Sequence, residues 1–174
     1  MPRFAANLST MFTEVAFLDR FASAAAAGFT AVEYMFPYAV TAEQVAAPLA
    51  HHGLQQVLFN LPPGDWSKGD RGIAALPGRE AEFAAGLDTA LAYAKATRCR
   101  LLHPMAGVPP KGTDLTLAER VYKANLARAA DFFAPHGIDV LIEPINQRSI
   151  PGFFLRTVSQ AVGYIEELGK ANVK

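Results

Sequence analysis

Val140-Leu141-Ile142-Glu143, followed at once by Pro144, is an apolar run that ends on a carboxylate. A short continuous apolar run reads as a strand buried on both faces, the kind found in parallel sheets. Pro144 lacks an N–H and cannot continue the ladder, so the strand should stop there. A carboxylate in that place is costly without compensation. Three roles would provide it: metal ligand, general base, or half of a structural ion pair with Arg148.

The same plan recurs upstream. Strands are predicted near Phe4–Leu8, Ala31–Met35, Gln55–Asn60, Arg100–His103 and Asp139–Glu143. Helices are predicted near Val15–Ala27, Ala42–His51, Arg79–Ala96, Thr116–Ala134 and Thr157–Leu168, and a further strand begins at Asn172. Strand and helix alternating in this way indicate an α/β protein with a parallel sheet and crossover helices. Gly28, Gly53, Gly137 and Gly169 each stand where a helix gives way to the next strand, a weak repeat marking successive βα units. Helix-to-strand links are short, whereas strand-to-helix links include the long stretches 61–78 and 105–115. Elaboration therefore gathers at the carboxyl ends of the strands, where (β/α)-barrels carry their sites. The expected arrangement is an open curved sheet in sequence order with all helices on its outer face. Helices on both faces with strand order 2-1-3-4-5 would instead make a flavodoxin-like binding module.

Composition narrows the partners. The 174 residues are 51% hydrophobic and carry 16 basic and 16 acidic side chains, enough for one sizeable core in a single domain, 1–174. Zero net charge gives no stripe for nucleic acid and none for an acidic membrane, and no apolar run approaches the ~20 residues that cross a bilayer. The lone Cys99 and an N-terminus without a signal-peptide pattern point to the cytoplasm.

Polar residues close each predicted strand: Asn7, Glu33, Asn60, His103, and Glu143 with Asn146 just beyond. Polar groups converging at one mouth require a ligand, an ion or one another. Asn7, Asn60, His103, Asn146 and Arg148 are the candidates for binding substrate, and Glu143 for catalysis and metal. Plainer roles stand beside these: strand-end capping for Asn7 and Asn60, a hydrogen-bonded core position for His103, and pairing with a neighbouring strand for Glu33. Leu61-Pro62-Pro63-Gly64-Asp65-Trp66 reads as a lid or wall over the site, and Ile150-Pro151-Gly152-Phe153-Phe154 as a second apolar wall. His51, His52, His136 and Arg98 sit at helix ends, where a cation suits the dipole, and no catalysis is assigned to them. Ser9-Thr10-Met11-Phe12 after the first strand is no glycine-rich phosphate loop, and HExxH, CxxC and GxSxG are all absent.

Several stretches together resemble one family. FAANLSTMFTE from Phe4, VEYMFPY from Val32, QVLFNLPPGDW from Gln56, ALPGRE from Ala75, LIEPINQR from Leu141 and PGFFL from Pro151 are similar to hydroxypyruvate isomerases, which are xylose-isomerase-like TIM barrels. The resemblance implies a (β/α)8 barrel of which about five βα units are present, strands six to eight lying outside residues 1–174. It implies interconversion of hydroxypyruvate and 2-hydroxy-3-oxopropanoate, or the matching reaction of 2-oxo-tetronates, within carbohydrate and glyoxylate metabolism. The substrate is then a small 2-oxo acid or sugar acid. Glu143 matches the family's acid/base glutamate, which is also a ligand where Mg²⁺ or Mn²⁺ is used; the other ligands belong to the later strands. Where the family has His-Val-Met-Ala-Gly, this chain has His103-Pro104-Met105-Ala106-Gly107, and the proline removes a ladder donor. Two further readings are a barrel endonuclease acting on damaged DNA and a non-catalytic homologue. Open sheet edges, with apolar Phe4, Val57 and Leu141 on the inner face, lead to an expectation of self-association.

Overall fold

The computed structural model describes residues 2–174. Five parallel strands, β1 (Ala6–Asn7), β2 (Ala31–Glu33), β3 (Gln55–Asn60), β4 (Leu101–His103) and β5 (Asp139–Val140), pair strictly in sequence order. Between and after them run α1 (Arg20–Ala26), α2 (Ala42–His52), α3 (Glu80–Thr97), α4 (Leu115–Phe133) and α5 (Val158–Leu168). Each helix packs on the next, α1 to α2 through α4 to α5, which makes one helical layer. Sequential order and a single layer match the curved sheet of a barrel and exclude the 2-1-3-4-5 module.

Alternation along the strands separates the two faces. Ala6, Val32, Phe59, Leu102 and Val140 are wholly buried beneath the helices and form the core with Phe21, Tyr122 and Phe133. The intervening residues, Asn7, Glu33, Leu58 and Leu141, face the concave side and are half-buried.

Element boundaries differ from expectation where a local bond intervenes. The expected first helix opens instead as a 3₁₀ turn, Phe17–Asp19, whose N-cap position holds Ala16 and offers no side-chain oxygen to the free N–H groups. Arg20 pins the preceding loop by donating from Nη1 to the Leu8 carbonyl at 2.7 Å and from Nε to the Val15 carbonyl at 3.1 Å. By contrast α2 begins where expected, because Thr41 and Gln44 make a reciprocal capping box. Phe4 was expected in β1 but is 72% exposed, outside the ladder. Beyond β5 the pairing continues: the Leu141 N–H donates to the Leu102 carbonyl at 2.8 Å, and the Ile142 N–H to the Lys174 carbonyl at 2.8 Å. The strand expected from Asn172 is present as a parallel bridge between Val140 and Val173. Arg98 does more than face a dipole: it occupies the left-handed position that closes α3, φ 55°.

The long stretch 61–78 is a fixed wall rather than a free lid. Gly72 bridges Ala106 in antiparallel fashion, and the Ala74 and Ala75 N–H groups donate to the Met105 and Ala106 carbonyls at 3.2 and 2.8 Å. Buried Asn125 of α4 donates from Nδ2 to the Ala74 carbonyl at 2.9 Å. Arg79 adds a bond to Asp70 at 2.7 Å, and the Asp70 carboxylate in turn accepts the Asp65 N–H at 2.7 Å. The backbones approach so closely at Gly72 and Gly107 that no side chain fits either place.

Candidate active site

A concave cavity of about 620 Å³ opens at the carboxyl ends of the strands. Asn7 from β1, Glu33 from β2, Asn60 from β3, His103 from β4 and Glu143 after β5 all line it. Five strand-end polar residues are thus brought to one mouth. Asn146 and Arg148 are not among the lining residues. Past Pro144 the chain turns away, and Asn146 Oδ1 accepts the N–H groups of Arg148 and Ser149 at 3.0 and 2.9 Å, closing a local turn. Arg148 forms no ion pair with Glu143.

His103 is the deepest of the group, its side chain 4% exposed, while Glu143 stands at the rim with 68% exposed. The His103 Nδ1 to Glu143 Oε2 separation of 3.8 Å is a close approach, too long for a hydrogen bond. Burial pushes the imidazole down to about 4, so it is neutral near pH 7. Crowding by protein atoms pushes the Glu143 carboxyl up, and the nearby Glu33 charge adds to this. A carboxyl with a raised pKa can take up and release a proton nearer neutrality than a free one, and a neutral imidazole can donate a hydrogen bond without competing for that proton.

The His103 shift has a consequence for stability. Its folded pKa lies below the unfolded value of 6.5, so its contribution is intact above about 6.5 and is lost as the pH falls toward 4. The loss should reach about 3 kcal/mol at most, less whatever the facing Glu143 carboxylate returns. Urea midpoints at pH 7 and pH 4.5 should therefore fall further apart for the native chain than for His103→Gln. Equal acid sensitivity of the two would contradict a buried neutral imidazole.

Apolar groups complete the walls. Trp66 lies 5.0 Å from the Phe36 ring, with the Arg71 guanidinium 4.1 Å from its own ring centroid. Ile150 lines the opposite side, whereas Phe153 and Phe154 turn inward to the core. Tyr34 and Met105 also line the cavity, although neither carried a signal in the sequence beyond its place just after a strand. As for a metal ion, no three His, Cys, Asp or Glu side chains among the described residues are grouped to hold one. Glu143 with His103 alone does not fit a complete Mg²⁺ or Mn²⁺ site.

Known proteins are similar to this chain along its whole length. The chain is 51% identical to the 2-oxo-tetronate isomerase of Cupriavidus necator over 174 residues, all of this chain and 67% of that protein. It is 43% identical to the hydroxypyruvate isomerase of Escherichia coli over 174 residues, again covering 67% of the relative. A crystal structure from Brucella melitensis described as an AP endonuclease, family 2, superposes with a TM-score of 0.97 at 53% identity, covering 99% of this chain and 67% of that one. The chain thus spans about two thirds of the length of these relatives. A family model described as the xylose isomerase-like TIM barrel matches residues 21–174, and the chain belongs to that family.

Proposed function

We propose that this chain is an isomerase of the hydroxypyruvate and 2-oxo-tetronate type, moving a proton between adjacent carbons of a small 2-oxo acid. The observation that carries the reading is the meeting of Glu143 with buried, neutral His103 at the strand-end cavity. In this reaction Glu143 takes the proton from C3, beside the carbonyl, and the electron pair moves to make a C2–C3 enediolate. Returning the proton to C2 while a hydroxyl proton passes from O3 to O2 leaves the carbonyl at C3, so the product is an isomer. The His103 N–H, with the amide of Asn60, supplies donors for the oxygens that gain charge. A divalent ion, expected from the family resemblance, would find one ligand here in Glu143, and no step is assigned to it.

The name of the Brucella structure favours a second reading, cleavage of DNA at abasic sites. Zero net charge and the isomerase relatives at 51% and 43% identity weigh against it. The deciding experiment takes residues 1–174 continued by the C-terminal third of the Cupriavidus necator relative and offers hydroxypyruvate, a 2-oxo-tetronate and an abasic-site duplex, with and without Mg²⁺ or Mn²⁺. Aldehyde or 3-oxo product supports the isomerase, and nicked duplex without isomer overturns it. Residues 1–174 are further proposed to self-associate through the edge strand β1 and the concave face, with light scattering expected to show species above 18.7 kDa. A monodisperse monomer with a cooperative thermal transition would refute this. Among the described residues no helix is long and apolar enough to cross a membrane, and a cytoplasmic setting accords with the single buried Cys99.

A further inference from the structure

Glu33 is half-buried on the cavity wall and is not used in the proton transfer above. Its carboxylate is held in place by a chain of bonds. Asn7 donates from Nδ2 to Glu33 Oε1 at 3.0 Å, while Asn7 Oδ1 accepts the Ser9 N–H at 2.9 Å, which sets the amide's orientation. Ser9 Oγ accepts the Met35 N–H at 2.8 Å, and the Leu8 N–H donates to the Glu33 carbonyl at 2.8 Å, tying the end of β1 to β2. Only one carboxylate oxygen is engaged in this way. Among the described residues, no side chain or backbone N–H bonds the other.

A fixed carboxylate with a free oxygen at a sugar-acid site can only accept, and the groups that donate to it are hydroxyls. Orientation follows from charge. The substrate's own carboxylate is repelled by Glu33 and Glu143, and the Glu33 charge reaches far enough across the cavity to raise the Glu143 carboxyl. The acid end must therefore turn away from Glu33, leaving the hydroxyl end toward it. Hydroxypyruvate ends at C3, where the proton is taken. A 2-oxo-tetronate carries one more carbon and a further hydroxyl at C4.

We propose that Glu33, oriented by Asn7, binds the far end of a four-carbon 2-oxo sugar acid by accepting a hydrogen bond from the hydroxyl at C4, a contact that hydroxypyruvate cannot make. The inference rests on the isomerase reading. A site that holds a hydroxyl through a dedicated partner discriminates strongly against an analogue without it, because the partner is then left unpaired.

The test is an NMR titration of the full chain with hydroxypyruvate and with a 2-oxo-tetronate, which reads millimolar affinities. Glu33→Gln should weaken the four-carbon acid by about 10-fold or more and leave hydroxypyruvate within about 2-fold. Asn7→Ala, which frees the carboxylate to swing, should weaken the same acid in part, and native-like spectra certify both folds. Equal weakening of both acids, or no effect on either, overturns the specificity role while leaving the isomerase reading in place. A loss seen for both acids only when Mg²⁺ is present would make Glu33 a metal ligand and also overturn it. Binding of neither acid by the native chain would remove the isomerase reading together with the inference.

Discussion

Replacing Glu143 by glutamine is expected to lower isomerase turnover by about 10²- to 10⁴-fold, the usual loss when a single acid/base group is removed. Stability should hardly change, since the side chain is 68% exposed and donates to or accepts from no other described residue. Glutamine keeps the shape and cannot take a proton, so the loss should fall on kcat. The measurement is best made in a hybrid in which residues 1–174 are followed by the C-terminal third of the Cupriavidus necator relative. Residues 1–174 alone should turn over little, because no three ligating side chains among the described residues can surround an ion that takes about six oxygen ligands. Substantial metal-dependent turnover by residues 1–174 would overturn that expectation, and an active Glu143→Gln hybrid would end the assignment of the proton carrier.

The second large effect is structural. Gly107→Ala should destabilise the chain by about 3–5 kcal/mol, at the upper end of single-residue effects. Gly107 has φ 94°, and a Cβ there would overlap the Gly72 carbonyl oxygen, with the Gly72 carbonyl carbon 2.8 Å away. Both are backbone atoms within the bridge that joins the 61–78 wall to the segment after β4, so relief requires the wall to lift. Gly78→Ala is the control. Its φ of 86° is equally left-handed, but nothing lies within 4 Å of the added carbon, so only the conformational cost of about 1–2 kcal/mol applies. Chemical denaturation of the two variants separates overlap from backbone preference. Equal losses would show that the wall is not clamped at Gly107.

The strands were legible because an apolar run ending on a polar residue repeats five times, and that pattern depends only on burial of one face beneath helices. The cavity position of Asn7, Asn60, His103 and Glu143 was legible for the same reason, since residues at or just past the carboxyl ends of the strands gather at the mouth of such a sheet. Asn146 and Arg148 misled because nearness in sequence to Glu143 was read as nearness in space, whereas Pro144 and the turn at Asn146 carry both away. The pairing of Glu33 with Asn7 was anticipated as a neighbour contact, but its free oxygen needed coordinates. Nothing periodic signals the Gly72 to Ala106 bridge, which joins two irregular segments far apart in the chain.

That bridge bears on how such a protein can change over generations. The wall holding Trp66 is secured to its neighbour mainly through main-chain N–H and carbonyl groups, which every residue type except proline provides. Side chains on its cavity-facing surface can therefore be exchanged singly without releasing the scaffold behind them. Gly72 and Gly107 cannot gain a side chain without lifting the wall, whereas the lining can be changed residue by residue, so the length of acid such a site accepts can alter without first losing the fold.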